Sequence, residues 1–186
     1  MGRIVVTEFI SLDGVIEAPG GGEEFEHAGW TFQFDRGAEG DKFKLDELME
    51  AEAQLLGRRT YEGFAAAWPN FADEQGFADK MNSMPKYVLT STLESADWDN
   101  STILRSMDDV AKLRDALDGV ILVAGSAQLV QGMLERDLVD ELRLMVFPVV
   151  LGTGKRLWGQ TSDMKRLQLA EVKTVGEGIA ILTLTT

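Results

Sequence analysis

Two strand-to-helix turns constrain this chain more than any other feature. One is Leu55-Leu56-Gly57-Arg58-Arg59-Thr60-Tyr61, and the other is Ile121-Leu122-Val123-Ala124-Gly125-Ser126-Ala127-Gln128-Leu129. In each, an apolar run of strand length stops at a glycine, and small or polar residues open a helical pattern. Backbone N–H groups at a helix start attract anions, and a glycine lets a phosphate come close. Two such turns in one small chain suggest a phosphate-rich cofactor held at two points.

The elements around these turns alternate. Residues 3–10 read as a first strand, broken by the turn Ser11-Leu12-Asp13-Gly14. Residues 17–40 read mainly as a long loop. Asp41 is placed to cap a helix over 42–53. A short buried strand at 53–56 leads into a helix from about 59 to 66. The stretch 73–83 is polar with helical character, Tyr87–Thr90 is a strand, and 102–104 is a short one. Ser106 caps a helix over 107–117, strand 120–124 precedes a helix over 126–136, and Glu141–Val150 is a long β-rich run. A last pair at about 166–174 and 179–185 is joined by Glu177-Gly178. Strands alternating with helices imply a largely parallel sheet, and the helix-free C-terminal pair implies an antiparallel edge. We therefore expect one domain over residues 1–186. It should be an α/β three-layer sandwich with a mixed central sheet of about eight strands and a C-terminal antiparallel hairpin.

Composition narrows the function classes. The net charge of −13 argues against non-specific nucleic-acid binding, so an anionic nucleotide needs a local basic patch such as Arg58 and Arg59. There is no cysteine, which excludes disulfides, thiol catalysis and cysteine-based zinc sites. The N-terminus lacks the basic region, apolar run and cleavage site of a secretory signal, and no stretch approaches transmembrane length. The expectation is a cytoplasmic protein with no membrane partner. Glu23, Glu24, Glu26 and His27 fit no standard metal spacing and read as a solvated loop, so no metal is expected. Leu142–Val150 is apolar on both faces, from which we expect a homodimer with that strand at the interface.

Several segments occur in an order that resembles the dihydrofolate reductase superfamily. They are Ser11–Ile16, Leu56–Glu62, Val88–Ser91, Val123–Leu129, and Leu138–Leu144 running on to Pro148–Leu157. More specifically, they are similar to the reductase domain of bifunctional riboflavin-biosynthesis deaminase/reductases and its stand-alone bacterial relatives. The resemblance covers nearly the whole chain. It implies NADPH-dependent reduction of a small heterocycle of pterin or ribosylaminopyrimidine type. In riboflavin-type members the reaction converts a ribosylamino group into a ribitylamino group on a uracil phosphate. The first 40 residues carry only Arg3 and Arg36 as Lys or Arg cations. A stand-alone reductase of another small molecule therefore fits as well as the riboflavin reaction. The alternatives on the same fold are a non-catalytic NADP-binding sensor and a structural homodimer.

The resemblance also implies roles. Gly57, Arg58, Arg59 and Thr60 would hold cofactor phosphates, with Arg58 near the adenosine 2′-phosphate, where a planar guanidinium binds bidentately. Thr90, Ser91 and Thr92 would line the adenosine pocket and favour NADP over NAD, or serve as strand-end turn chemistry. Gly125, Ser126, Ala127 and Gln128 would face the pyrophosphate, with Ser126 standing where many members carry a second glycine. Phe9 and Ile16 would contact the nicotinamide through their backbones. Asp13 would border nicotinamide and substrate, or simply make an Asp-Gly turn. Asp41 stands 16 residues before Gly57, the separation usual for the acid of bacterial members. There it would assist protonation of a carbon–nitrogen double bond, unless it is only a helix cap. Trp30 and Phe34 would wall a planar substrate or pin the long loop to the core, and Trp68 is open to the same two readings. Gly152-Thr153-Gly154-Lys155 is no Walker loop, because Val149 and Arg156 stand where that motif needs glycine and Ser or Thr. It reads as a turn near the cofactor or the subunit interface.

Overall fold

Runs rich in Val, Ile, Leu and Phe become strands because branched and aromatic side chains fit a pleated, buried surface. The computed structural model covers residues 1–186. Its strands are β1 (Arg3–Ser11), β2 (Ala51–Gly57), β3 (Lys86–Leu89), β4 (Ser101–Leu104), β5 (Val120–Ala124), β6 (Glu141–Phe147), β7 (Gln168–Val175) and β8 (Ile179–Thr185). They form one sheet in the order β4-β3-β2-β5-β1-β6-β8-β7. The first six run parallel, and β8 pairs antiparallel with β6 and β7. The helices are α1 (Gly37–Glu50), α2 (Arg58–Ala67), α3 (Phe77–Ser83), α4 (Met107–Ala116) and α5 (Ala127–Glu135).

Alternation along the strands sorts the core into layers. Ile4, Val6, Leu55, Ile121 and Val123 pack with Val110, Leu113, Val130 and Met133 of α4 and α5. Val5, Leu56, Val88 and Leu122 pack with Leu48, Tyr61 and Met81 of α1, α2 and α3. Strands covered on both sides read as continuous apolar runs. This explains β6, which takes up the Leu142–Phe147 part of the apolar run Leu142–Val150. The strand lies inside the sheet between β1 and β8, so its apolar faces are covered by this chain itself.

The cap of α4 follows the sequence reading and extends it. Ser106 Oγ accepts from Asp109 N at 3.2 Å, and the Asp109 carboxylate accepts from Ser106 N at 3.1 Å. Such a capping box satisfies two orphan donors and is worth about 1 kcal/mol.

The stretch 17–40 departs from a plain loop. It contains a short 3₁₀ turn, Trp30–Gln33, and α1 starts at Gly37. Asp41 is therefore not the helix cap. It lies inside α1, paired with Arg36 at 2.8 Å. Gly40 hides the true start, since glycine disfavours helix. It is there for close approach: a Cβ would come within 3.3 Å of Val175 on β7. Trp30 and Phe34 pin this stretch to the core. With Phe9 they set their rings around buried Phe147, at centroid distances of 5.4, 5.6 and 5.9 Å. Edge-on aromatic pairs of this kind add roughly 0.5–1.5 kcal/mol each beyond burial.

Candidate active site at the carboxyl ends of the strands

In parallel sheets, ligands bind beyond the carboxyl ends of the strands. Here β3, β2, β5 and β1 end beside one another in that spatial order. A cleft of about 1590 Å³ opens over them.

The two glycine turns meet in the cleft. Gly57 N donates to Ser126 Oγ at 2.9 Å, and a Cβ on Gly125 would lie 2.9 Å from Thr60 Oγ1. Neither α2 nor α5 has a side-chain cap, so the N–H groups of both first turns stay open to a ligand. Ser126 has a left-handed backbone, φ 63°, and all peptide bonds are trans.

Most sequence-predicted positions converge on this cleft. Its walls include Phe9, Ile16, Asp41, Gly57–Thr60, Trp68, Thr90–Thr92 and Gly125–Gln128. Arg58 pairs with Glu62 at 3.1 Å at the surface, and Arg59 has no ion pair. The Thr90 hydroxyl accepts from Thr92 N at 3.2 Å and Leu93 N at 3.1 Å, so it staples its own turn. Ser91 and Thr92 are exposed beside it. Arg105, missed in the sequence, joins this end of the cleft and donates to Thr90 O at 3.0 Å. Its signal was present: a cation at a strand end, one residue before a helix cap.

Three predicted positions fall outside the cleft. Trp30 and Phe34 belong to the Phe147 cluster, where burial of their rings outweighs any role at a surface. Trp30 Nε1 is further tied to Glu17 O at 2.9 Å. Asp13 clips two turns together. It accepts from Ser11 Oγ at 2.6 Å, Leu151 N at 3.1 Å and Gly152 N at 2.8 Å, with Arg156 at 3.6 Å. The Ser11 hydroxyl, assisted by those amides against a burial penalty, holds its carboxyl down at about 2. Such a group keeps its charge at neutral pH and has no proton to give. The same clip fixes the Gly152–Lys155 turn, and Lys155 reaches the cleft wall.

The cleft floor holds a polar cluster that local pattern did not reveal. Thr7 and Glu8 lie mid-way along an apolar strand, and Glu47 lies on the buried face of α1. Thr7 Oγ1 donates to Glu47 Oε1 at 2.8 Å, and Lys44 pairs with Glu47. Gly125 N donates to Glu8 Oε2 at 3.1 Å. Glu8 Oε1 and Glu47 Oε2 are buried without a partner. The readable sign was an acidic residue inside a central strand, where unpaired charge is costly.

This geometry defines a class: a doubly covered α/β sheet with a cleft at its switch from β5 to β1, onto which two uncapped helix starts open. The family follows from comparison. Residues 3–181 match the RibD C-terminal domain, and the chain belongs to that family. It is 29% identical to the uncharacterized protein YwjB of Bacillus subtilis (strain 168) over 174 residues, 92% of this chain and 91% of that one. It is 28% identical to the uncharacterized protein YyaP of the same organism over 184 residues, 95% of this chain and 91% of that one. A crystal structure from Shewanella sp. PV-4, named as a riboflavin biosynthesis protein, superposes with a TM-score of 0.75 at 19% identity, covering 98% of both chains. Dihydrofolate reductase from Enterococcus faecalis, complexed with NADP(H) and RAB-propyl, superposes with a TM-score of 0.59 at 14% identity, covering 98% of this chain and 95% of that one. The fold is thus dihydrofolate reductase-like, within a reductase-type family.

Proposed function

We propose that this protein is an NADPH-dependent reductase of a small heterocycle, of pterin or ribosylaminopyrimidine type. The observation that carries the reading is the meeting of two uncapped helix starts in one cleft with arginines around it. The family membership and the NADP(H)-bound neighbour support it. The residues present suit an anionic dinucleotide. Ala127 and Gln128 would receive the pyrophosphate at the start of α5, and Gly57–Thr60 would bind phosphate at the start of α2. Arg58, Arg59, Arg105, Ser91 and Thr92 would surround an adenosine 2′-phosphate. Phe9 and Ile16 would then border the nicotinamide.

When bound, the reduced cofactor supplies the hydride. The chain fixes donor and acceptor in one orientation and excludes water from the floor. The test is a paired titration with NADPH and NADH. Arg58→Ala should weaken NADPH at least ten times more than NADH, because a charge-assisted pair is worth about 1.5–3 kcal/mol. Equal weakening removes the 2′-phosphate role. NADPH binding without oxidation across pterins and ribosylaminopyrimidines would instead assign a sensor.

A further inference from the structure

We propose that Glu8, rather than Asp41 or Asp13, is the catalytic acid that protonates the substrate nitrogen next to the carbon receiving hydride. This rests on the reductase reading above. Its support is geometric. β1 pairs with β5 only as far as Thr7 and Ala124, while it continues along β6 to Ser11 and Phe147. Glu8 is thus the first residue of β1 beyond the end of β5, at the point where the chain turns away through Gly125. The sheet opens there into the cleft, and Glu8 lies on its wall.

The side chain is 4% exposed. Oε2 takes the Gly125 amide, in the turn assigned to the cofactor pyrophosphate, and Oε1 is left over. A buried carboxyl oxygen with no partner is costly unless a ligand completes it or a proton neutralises it. Two carboxyls share this floor with one cation, since Lys44 and Glu47 both come from α1 and β5 contributes only the Gly125 N–H. Lys44 and the Thr7 hydroxyl are engaged by Glu47. Glu8 Oε1 has no protein donor left to satisfy it, so the neutralising proton belongs on Glu8. Burial, reinforced by Glu47 and opposed by Lys44 and the Gly125 amide, raises the Glu8 carboxyl well above the ordinary carboxylate range. Asp41, by contrast, has a side chain more than half exposed and paired with Arg36.

The substrate class follows: a heterocycle or sugar-amine with a carbon–nitrogen double bond. The carbon gains a hydride from reduced nicotinamide, which is oxidised by two electrons. The π pair of the double bond moves to nitrogen and takes the Glu8 proton, giving an amine and a carboxylate. Water then returns a proton to Glu8. General acid catalysis of this kind contributes about 10²–10⁴-fold.

The test uses wild type, Glu8→Gln and Glu8→Asp, with NADPH, a 7,8-dihydropterin and a ribosylaminopyrimidine phosphate as probes. Infrared titration of the unliganded protein should show a protonated carboxyl band at pH 7 in wild type that Glu8→Gln lacks. NADPH affinity of Glu8→Gln should stay within about threefold of wild type, because the amide oxygen still accepts from Gly125. Its single-turnover hydride transfer should fall at least ~100-fold and lose the wild-type decline toward high pH. Glu8→Asp should recover part of the rate. NADPH binding without the infrared band overturns Glu8 alone, as does wild-type turnover in Glu8→Gln. Failure of wild type to bind NADPH, or to oxidise it with either probe, overturns the reductase reading and this assignment together.

Discussion

Lys86 and Glu8 are both buried ionisable side chains on parallel strands of one sheet, yet their surroundings differ. The Lys86 ammonium donates to Asn82 O at 2.8 Å, Met84 O at 2.9 Å and Asp99 O at 2.9 Å, and lies 4.3 Å from the Trp98 ring centroid. Its three donors all have acceptors. Glu8 has one oxygen bonded and one without a partner, at the wall of a cleft. A saturated buried polar group ties backbone segments together, whereas one with an unpartnered atom has bonding capacity left over.

The largest expected effect tests the saturated member. Lys86→Met orphans three carbonyls and should cost about 3 kcal/mol or more in urea denaturation. NADPH affinity should be untouched, because Lys86 lies outside the cleft. Next comes the unsaturated member. Glu8→Leu should raise stability by about 1 kcal/mol while abolishing turnover, as when a functional polar group gives way to an apolar one. A loss like that of Lys86→Met would erase the distinction between the two sites.

A pH series sharpens the comparison. Burial, partly offset by Asp99, lowers Lys86 to about 8, against about 10.4 in an unfolded chain. The unfolded state binds more protons between those values, so wild-type stability should rise relative to Lys86→Met as pH climbs from 8 toward 10. The smallest effect belongs to Asp13, which is partly solvated. Asp13→Asn should cost about 1 kcal/mol at neutral pH. Its carboxyl sits at about 2, below the unfolded value of about 3.9, so that stabilisation is present above pH 4 and fades as pH falls through 2.

Much of the fold was legible because neighbours in sequence encode it. The strand at 120–124 and the cap at Ser106 coincide with the structure, since apolar period and capping chemistry act within a turn or two. The start of α1 was not legible, because Gly40 looks like a breaker until β7 is packed against it. Trp30 and Phe34 offered two readings that only the position of Phe147 separates. In the site, the glycine turns announced themselves locally. Arg105 gave a local sign too, a cation just before the Ser106 cap, but its place beside Thr90 depends on the β3–β4 pairing.

The amino-acid sequence alone determined the alternation of strands and helices, the two glycine strand-to-helix turns and the exclusion of thiol chemistry. These follow from residue type and spacing over a few positions. Only the tertiary structure decided that β1 lies between β5 and β6. That placement brings Glu8 to the amide of Gly125, 117 residues away, and takes Asp13 out of the cleft. Strand order arises from long-range burial, and burial is what raises the Glu8 carboxyl above the ordinary carboxylate range.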